Sequence, residues 1–364
     1  MGAGSLSRPA LQHTTMNAPH PPLLDYPFDV APAPGVAIAV APNVRWLRMP
    51  LPFALDHINL WIVANGNDRV AVDCGFGDAA TRALWETQFT TTLGGQALTR
   101  IVATHYHPDH LGNAQWLADR FGVGVAMTLG EFLTAHAFFA ASEDGWGANM
   151  VNLLVAHGLA PEHRIALLAR GNGYRRGVPE IPSRYERLVH GDRVEAGGMT
   201  FEVITGYGHS PEHAALYAAE RSLLISGDML LPRISTNVSI SATDPDGDPL
   251  ARFLDSLTRF ETLPADTLIL PSHGLPFRGA ALRVAQLRAH HATRLSELEA
   301  FVRSAEAPVA AVDVLQLLFR RELDLQQRFF AMGEAIAHLN YLWRRGRLLR
   351  TVAGDGRIHF HSCA

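Results

Sequence analysis

The segment Thr104-His105-Tyr106-His107-Pro108-Asp109-His110 crowds three imidazoles and one carboxylate into a single loop. In extended backbone His105 and His107 point the same way, while Asp109 and His110 project from the turn entering the next helix. His105 and His107 with a third donor can hold one divalent ion with an open position, and Asp109 with His110 can begin a second site beside it. Two ions roughly 3.5–4 Å apart share a bridging hydroxide, and the chemistry this supplies is hydrolysis.

The missing donors belong at the ends of other strands. Asp73 in VDCGFG, His209 in TGYGHSPEH, Asp228 in SGDM and His273 in PSHG each follow an apolar run of strand length. GVAIAV, HINLWIVA and RVAVDCG read as strands, as do LTRIVATH, MTFEVIT, AALYAAE, RSLLISGD and TLILPSHG. Helical spacing is expected near Ala79 to Phe89, in LGNAQWLADRF and around Pro249 to Glu261. Strands alternating with helices indicate mixed α/β layers. A helical insertion is expected at about 130–185, and residues 1–30, rich in Pro and Ala, read as a mobile tail. From 280 three helices are expected, at 280–304, 308–320 and 326–345, then a hairpin around Gly354-Asp355-Gly356. Together they form a small second domain, 280–364, of winged-helix character, after a main domain at 31–279.

With these motifs in this order, the chain resembles the metallo-β-lactamase superfamily. The resemblance implies a four-layer αββα sandwich. It also implies a first metal on His105, His107 and His209, a second on Asp109, His110 and His273, and Asp228 bridging. Asp73 matches an aspartate that supports the histidine loop by hydrogen bonding and is not a ligand. The C-terminal block, with MGEAIAHLNYLWRRGRL, resembles the winged-helix domain of the branch containing lactamase-β-like-2 proteins. One departure is Tyr207-Gly208-His209, where the family commonly has Pro-Gly-His; Tyr207 either reaches a substrate carbonyl or packs behind the loop.

Composition narrows the function. The chain has 364 residues, net charge -4 and 48% hydrophobic residues, enough for a sizeable core. No apolar run of roughly 18 residues spans a membrane, and no secretory leader is evident. Cys74 and Cys363 form neither a disulfide framework nor a thiolate zinc cage, which favours a cytoplasmic setting. Cys74 reads as a small buried hydrophobe. All 31 basic residues are arginine, so no Schiff-base or phosphate-gripping lysine exists. From 280 onward 12 arginines face 8 acidic residues, a balance of +4 that leaves -8 on residues 1–279. That asymmetry is modest and not by itself a nucleic-acid signature, and the net charge of -4 with no lysine weighs against a nucleic-acid groove.

Of the 18 histidines, His13, His20, His290, His291, His359 and His361 read as surface or structural, and His57 and His213 as supports rather than ligands. Arg175 and Arg176 could meet an anionic substrate group or simply face solvent, and Arg344, Arg345 and Arg347 complement a helix C-terminus. The expected activity is a binuclear metal-dependent hydrolase acting through a metal-bridging hydroxide on a small-molecule ester or thioester of acyl-CoA or glutathione type. Asp109 and Asp228 serve the reaction, and the ions are zinc first, with iron or manganese as alternatives. Phe132, Phe138, Phe139 and Trp146 of the insertion either cover an acyl group or form the insertion's own core. The competing readings are a metal-dependent endoribonuclease or phosphodiesterase, and a sensor whose winged helix binds DNA or makes a homodimer.

Overall fold

The structure is a computed structural model that describes residues 23–142 and 146–363. Seven strands form the first sheet in sequential order: β1 (Ala37–Ala41), β2 (Val44–Pro50), β3 (His57–Asn65), β4 (Asp68–Val72), β5 (Arg100–Val102), β6 (Val125–Thr128) and β7 (Glu186–Leu188). Five form the second: β8 (Arg193–Ala196), β9 (Met199–Gly206), β10 (His213–Ala218), β11 (Leu223–Gly227) and β12 (Leu268–Pro271), in the order β12-β11-β10-β9-β8. β13 (Leu348–Val352) and β14 (Ile358–Ser362) make a separate antiparallel hairpin, where the Gly354-Asp355-Gly356 turn was expected to put one.

Period-two patterning stacks the two larger sheets face to face. Trp46, Trp61, Val70 and Val72 of the first meet Phe201, Val203, Leu216 and Ile225 of the second in one buried layer. The opposite face of the first sheet, with Leu47, Met49, Ile58 and Leu60, packs on Trp85, Phe89 and Leu117 of the helices Ala79–Thr91 and Ala114–Phe121. The outer face of the second, with Ile204, Ala215, Leu224 and Ile269, packs on Leu250, Phe253 and Phe260. The result is the expected αββα sandwich.

The insertion is helical, with helices Leu129–Ala140, Trp146–Ala156, Pro161–Leu168 and Tyr174–Gly177. Its aromatic side chains pack within the protein. Phe132 stacks on Tyr185 with centroids 4.1 Å apart, and Phe138 lies against Tyr106 and Tyr174. The Trp146 side chain and most of the tail at 1–30, including His13 and His20, lie outside the described residues.

The C-terminal region departs from expectation in one place. The helices Ala280–Ser304 and Leu325–Arg344 form as expected, but 308–320 is not a single helix. Val309 exchanges backbone hydrogen bonds with Phe360 of β14, so the segment begins extended, and only the short turns Ala311–Val314 and Leu315–Leu318 follow. These helices share one hydrophobic core with the second sheet's outer layer, through Val284, Leu287, Ile336 and Leu339.

Candidate metal centre

The parallel pairs β4·β5 and β11·β12 end at one edge of the sandwich, and the motif residues follow those ends. Asp73 comes directly after β4, His105 shortly after β5, His209 after β9, Asp228 after β11 and His273 after β12. Strand ends are where backbone leaves the ladder and side chains can converge.

All seven expected ligands meet there. His105, His107 and His209 bring ligand atoms within 4.8 Å of one another, as do Asp109, His110 and His273, and His105, His110 and Asp228 form an overlapping third group. His105 Nε2 lies 2.8 Å from His107 Nδ1 and 3.2 Å from His209 Nε2. Across from them, His110 Nε2 lies 3.6 Å from Asp109 Oδ2 and 3.7 Å from Asp228 Oδ1, and His273 Nε2 is 3.5 Å from each of the same oxygens. Asp228 faces both groups, because its Oδ2 is 3.3 Å from His209 Nε2. Ligand atoms on a tetrahedral ion at about 2.0–2.1 Å sit about 3.3 Å apart, so both groups have the spacing of a donor set.

Three of the outward ring nitrogens are hydrogen-bonded, which fixes those tautomers. His110 Nδ1 meets Asp73 Oδ2 at 2.8 Å, His209 Nδ1 donates to the Asn237 carbonyl at 2.7 Å, and His273 Nδ1 donates to the His57 carbonyl at 2.8 Å. Each therefore turns Nε2 inward, as outer partners of metal-binding histidines do. His110 Nε2 and Asp228 Oδ1 are buried with no hydrogen-bond partner, and buried polar atoms so placed need an occupant. The donor set therefore fits divalent ions.

Electrostatics agree. Burial, reinforced by neighbouring imidazoles, pushes His105 and His107 well below the usual histidine range, so both are neutral. For His110 burial acts in the same direction, yet the carboxylates of Asp73, Asp109 and Asp228 outweigh it and raise the ring to about 10. A field that holds a proton there so firmly also favours a cation. Burial opposes charge on Asp228, but His273 and His110 hold its carboxyl well below the carboxylate range.

The supports come from the fold's own junctions. Asp73 sits at φ 63°, a left-handed backbone that aspartate tolerates, and this turns its carboxylate onto the Thr104 amide at 2.8 Å and hydroxyl at 3.0 Å as well as His110. His213 Nε2 accepts the Asp228 amide at 3.1 Å. At Gly227 (φ 52°) a Cβ would lie 2.2 Å from that nitrogen, so only glycine fits. His57 Nε2 accepts the Gly274 amide at 2.9 Å, so His57 and His213 both support and neither joins a donor group.

Other residues resolve toward packing. Cys74 is fully buried and burial pushes its thiol up, so it is no nucleophile. Tyr207 lies under Arg259, 5.4 Å from its ring, and its amide donates to Ser256. Arg175 donates to the Phe139 carbonyl and Arg176 to the Arg170 carbonyl. Arg344 reaches the Asp246 carbonyl, Arg345 pairs with Asp248 at 2.6 Å and Arg347 pairs with Glu299.

Sequence reasoning missed Glu131. This buried carboxylate of helix Leu129–Ala140 accepts the Tyr106 amide at 2.9 Å, and the Ser210 hydroxyl and the Glu212 amide at 2.6 Å each. It joins the loop of His105 and His107 to the loop of His209. Its one visible signal is a lone acid in the apolar helix LGEFLTAHAFFA.

The model of the metallo-beta-lactamase superfamily matches residues 54–273, the span holding all seven expected ligands and Glu131. The chain belongs to that superfamily. It is a metal-dependent hydrolase. A second model, the metallo-beta-lactamase-like C-terminal domain, matches 297–363. Among solved structures, a beta-lactamase domain protein from Burkholderia ambifaria is similar at 47% identity and TM-score 0.87, covering 93% of this chain and 98% of that one. A probable metallo-hydrolase of Bacillus subtilis is 24% identical over 82% of this chain and 92% of its own length. An atrochrysone carboxyl ACP thioesterase of Passalora fulva is 19% identical over 85% of this chain and 75% of its own.

Proposed function

We propose that this superfamily member hydrolyses an ester or thioester of a small acyl substrate at a centre of two divalent ions, zinc ahead of iron or manganese. His105, His107 and His209 would hold one ion and Asp109, His110 and His273 the other, with Asp228 shared. The observation that carries this is the single Asp228 carboxylate with one oxygen toward each donor group. Bound ions supply an acidified water and a Lewis-acid contact for the scissile carbonyl oxygen.

The chain's own residues do the rest. Asp228 holds the two donor groups in register, and the His213 ring on its amide fixes where it stands. Asp109, whose side chain is 13% exposed, would orient the attacking water and take up its proton. No protein nucleophile is required, since the thiol of Cys74 is sealed in the core.

A carbonyl substrate is preferred to a nucleic acid for two reasons. The relative from Passalora fulva carries a thioesterase name over most of its length. Of the C-terminal arginines, Arg345 and Arg347 are paired with the carboxylates of Asp248 and Glu299 and Arg344 is held on the Asp246 backbone carbonyl, which leaves this helix end less free positive charge for phosphates. No helix among the described residues is long and apolar enough to cross a membrane.

The test is a parallel screen of metal-reconstituted protein against acyl-CoA thioesters, an acyl-glutathione, aryl esters, lactones, a phosphodiester reporter and single-stranded RNA, with Asp109→Ala as blank. Ester or thioester turnover absent from the blank supports the proposal. Turnover confined to RNA or the phosphodiester overturns it.

A further inference from the structure

The loop that follows Asp228 is held from outside the superfamily core. Thr236 anchors it inward by donating to the Asp228 carbonyl at 2.5 Å, and the Asn237 carbonyl receives His209 Nδ1. Several of its outward contacts run to the two long C-terminal helices. From Ala280–Ser304, Arg283 donates through Nε to the Leu231 carbonyl at 2.5 Å and through Nη2 to the Ile234 carbonyl at 2.7 Å. From Leu325–Arg344, the Gly333 carbonyl accepts the Ile240 amide at 3.2 Å. A Cβ at Gly333 would lie 2.9 Å from Ser239 Oγ, so helix and loop are in direct contact.

Asn237 is the pivot. Its side-chain amide donates to Glu334 Oε2 at 3.2 Å, and its side-chain oxygen accepts the Ser239 hydroxyl at 2.7 Å. Both ends of that side chain are fixed, so the residue cannot rotate, and its carbonyl stays aimed at His209. Glu334 is thus two hydrogen bonds from an inward-facing imidazole, although it lies 125 positions along the chain from His209.

We propose that Glu334 is a positioning residue of the metal centre, acting through Asn237 to orient His209. The C-terminal unit then completes the site rather than merely accompanying it. The inference rests on His209 being a ligand, as proposed above. Outer hydrogen bonds of this kind set tautomer and ring direction, and their loss typically costs 10–100-fold in metal affinity.

The experiment compares Glu334→Ala, Glu334→Gln, Asn237→Ala and His209→Ala in the full chain. Readouts are zinc affinity by chelator competition, the visible spectrum of the cobalt-substituted protein, and the imidazole nitrogen–proton correlations of the metal-free protein. Circular dichroism checks that each variant is folded. Glu334→Ala and Asn237→Ala should each weaken one of the two ions by about 10-fold or more, alter the cobalt spectrum and shift or broaden the His209 Nδ1 resonance. Glu334→Gln keeps an acceptor for the Asn237 amide and should restore all three. His209→Ala should lose one ion outright. If it does, while Glu334→Ala binds and absorbs like the parent, the positioning role is overturned and the ligand assignment stands. Full two-ion loading of His209→Ala overturns the ligand assignment itself.

Discussion

Glu131 accepts the hydroxyl of Ser210 at 2.6 Å across 79 residues of sequence, and through that contact the helical insertion grips the loop that carries His209. The same carboxylate holds the Tyr106 amide between His105 and His107. Removing it leaves three buried or partly buried donors without an acceptor, each costing about 1–3 kcal/mol. Glu131→Ala should therefore lower unfolding free energy by about 3 kcal/mol or more and reduce metal occupancy. Glu131→Gln, which keeps one carbonyl oxygen but turns an amide toward a donor, should fall between. Denaturant unfolding and metal analysis on the same preparations check this, and a parent-like Glu131→Ala in both would remove Glu131 from the account of the site.

Asp73 carries the corresponding load on the other side of the centre. Its carboxylate meets three donors, and its φ of 63° is one that asparagine also accepts. Asp73→Asn thus tests charge and acceptor capacity with little backbone penalty. One amide face would confront either Thr104 or His110, and the negative partner of the His110 ring would be gone. Occupancy of the His110 site should fall and turnover drop by about 10–100-fold with secondary structure intact. Retention of two ions and full turnover would show that His110 needs no carboxylate behind it.

The sequence made the candidate ligands legible because each follows a short apolar strand and carries a donor rare at such a place. Supports such as Glu131, Asn237 and Glu334 were not legible, since the partners that give them this role lie 25 to 97 positions away, beyond the reach of any local pattern. The same reason explains the error at 308–320. Local spacing there is helical, but Val309 pairs with Phe360, and a long-range ladder contact overrode the local preference. β2 was also passed over, because Arg45 and Arg48 interrupt its apolar residues, although Val44, Trp46, Leu47 and Met49 are all buried.

Metal removal should be felt in stability as well as activity. His110 Nε2 and Asp228 Oδ1 are buried and unpartnered, and several inward nitrogens share the same space. An ion that binds the folded chain alone contributes about 2.7 kcal/mol at a hundredfold excess over its dissociation constant. Thermal unfolding of chelated protein should shift upward by several degrees on adding zinc, and the shift should grow with zinc concentration. Asp228→Ala should bind fewer than two ions and show a smaller shift. An unchanged melting curve across the titration would count directly against a metal centre in this cluster.

Acid sensitivity should arise in part from a residue remote from the centre. His157 is fully buried at the end of helix Trp146–Ala156, its ring lies parallel to that of Phe360 at 6.1 Å, and neither of its nitrogens has a partner. Burial, aided by Arg350, pushes this histidine down to about 3. The unfolded chain takes up a proton near pH 6.5 that the folded chain refuses, so the stability is fully present above that pH and is lost as pH falls toward 3. Between pH 7.5 and pH 5 the loss from this one group is about 2 kcal/mol. His157→Leu fills similar space without a titratable ring and should remove that part of the slope while leaving stability at pH 7.5 equal or higher. Urea unfolding of the chelated proteins at both pH values measures the difference, and identical pH dependence in parent and variant would show that His157 is protonated within the fold.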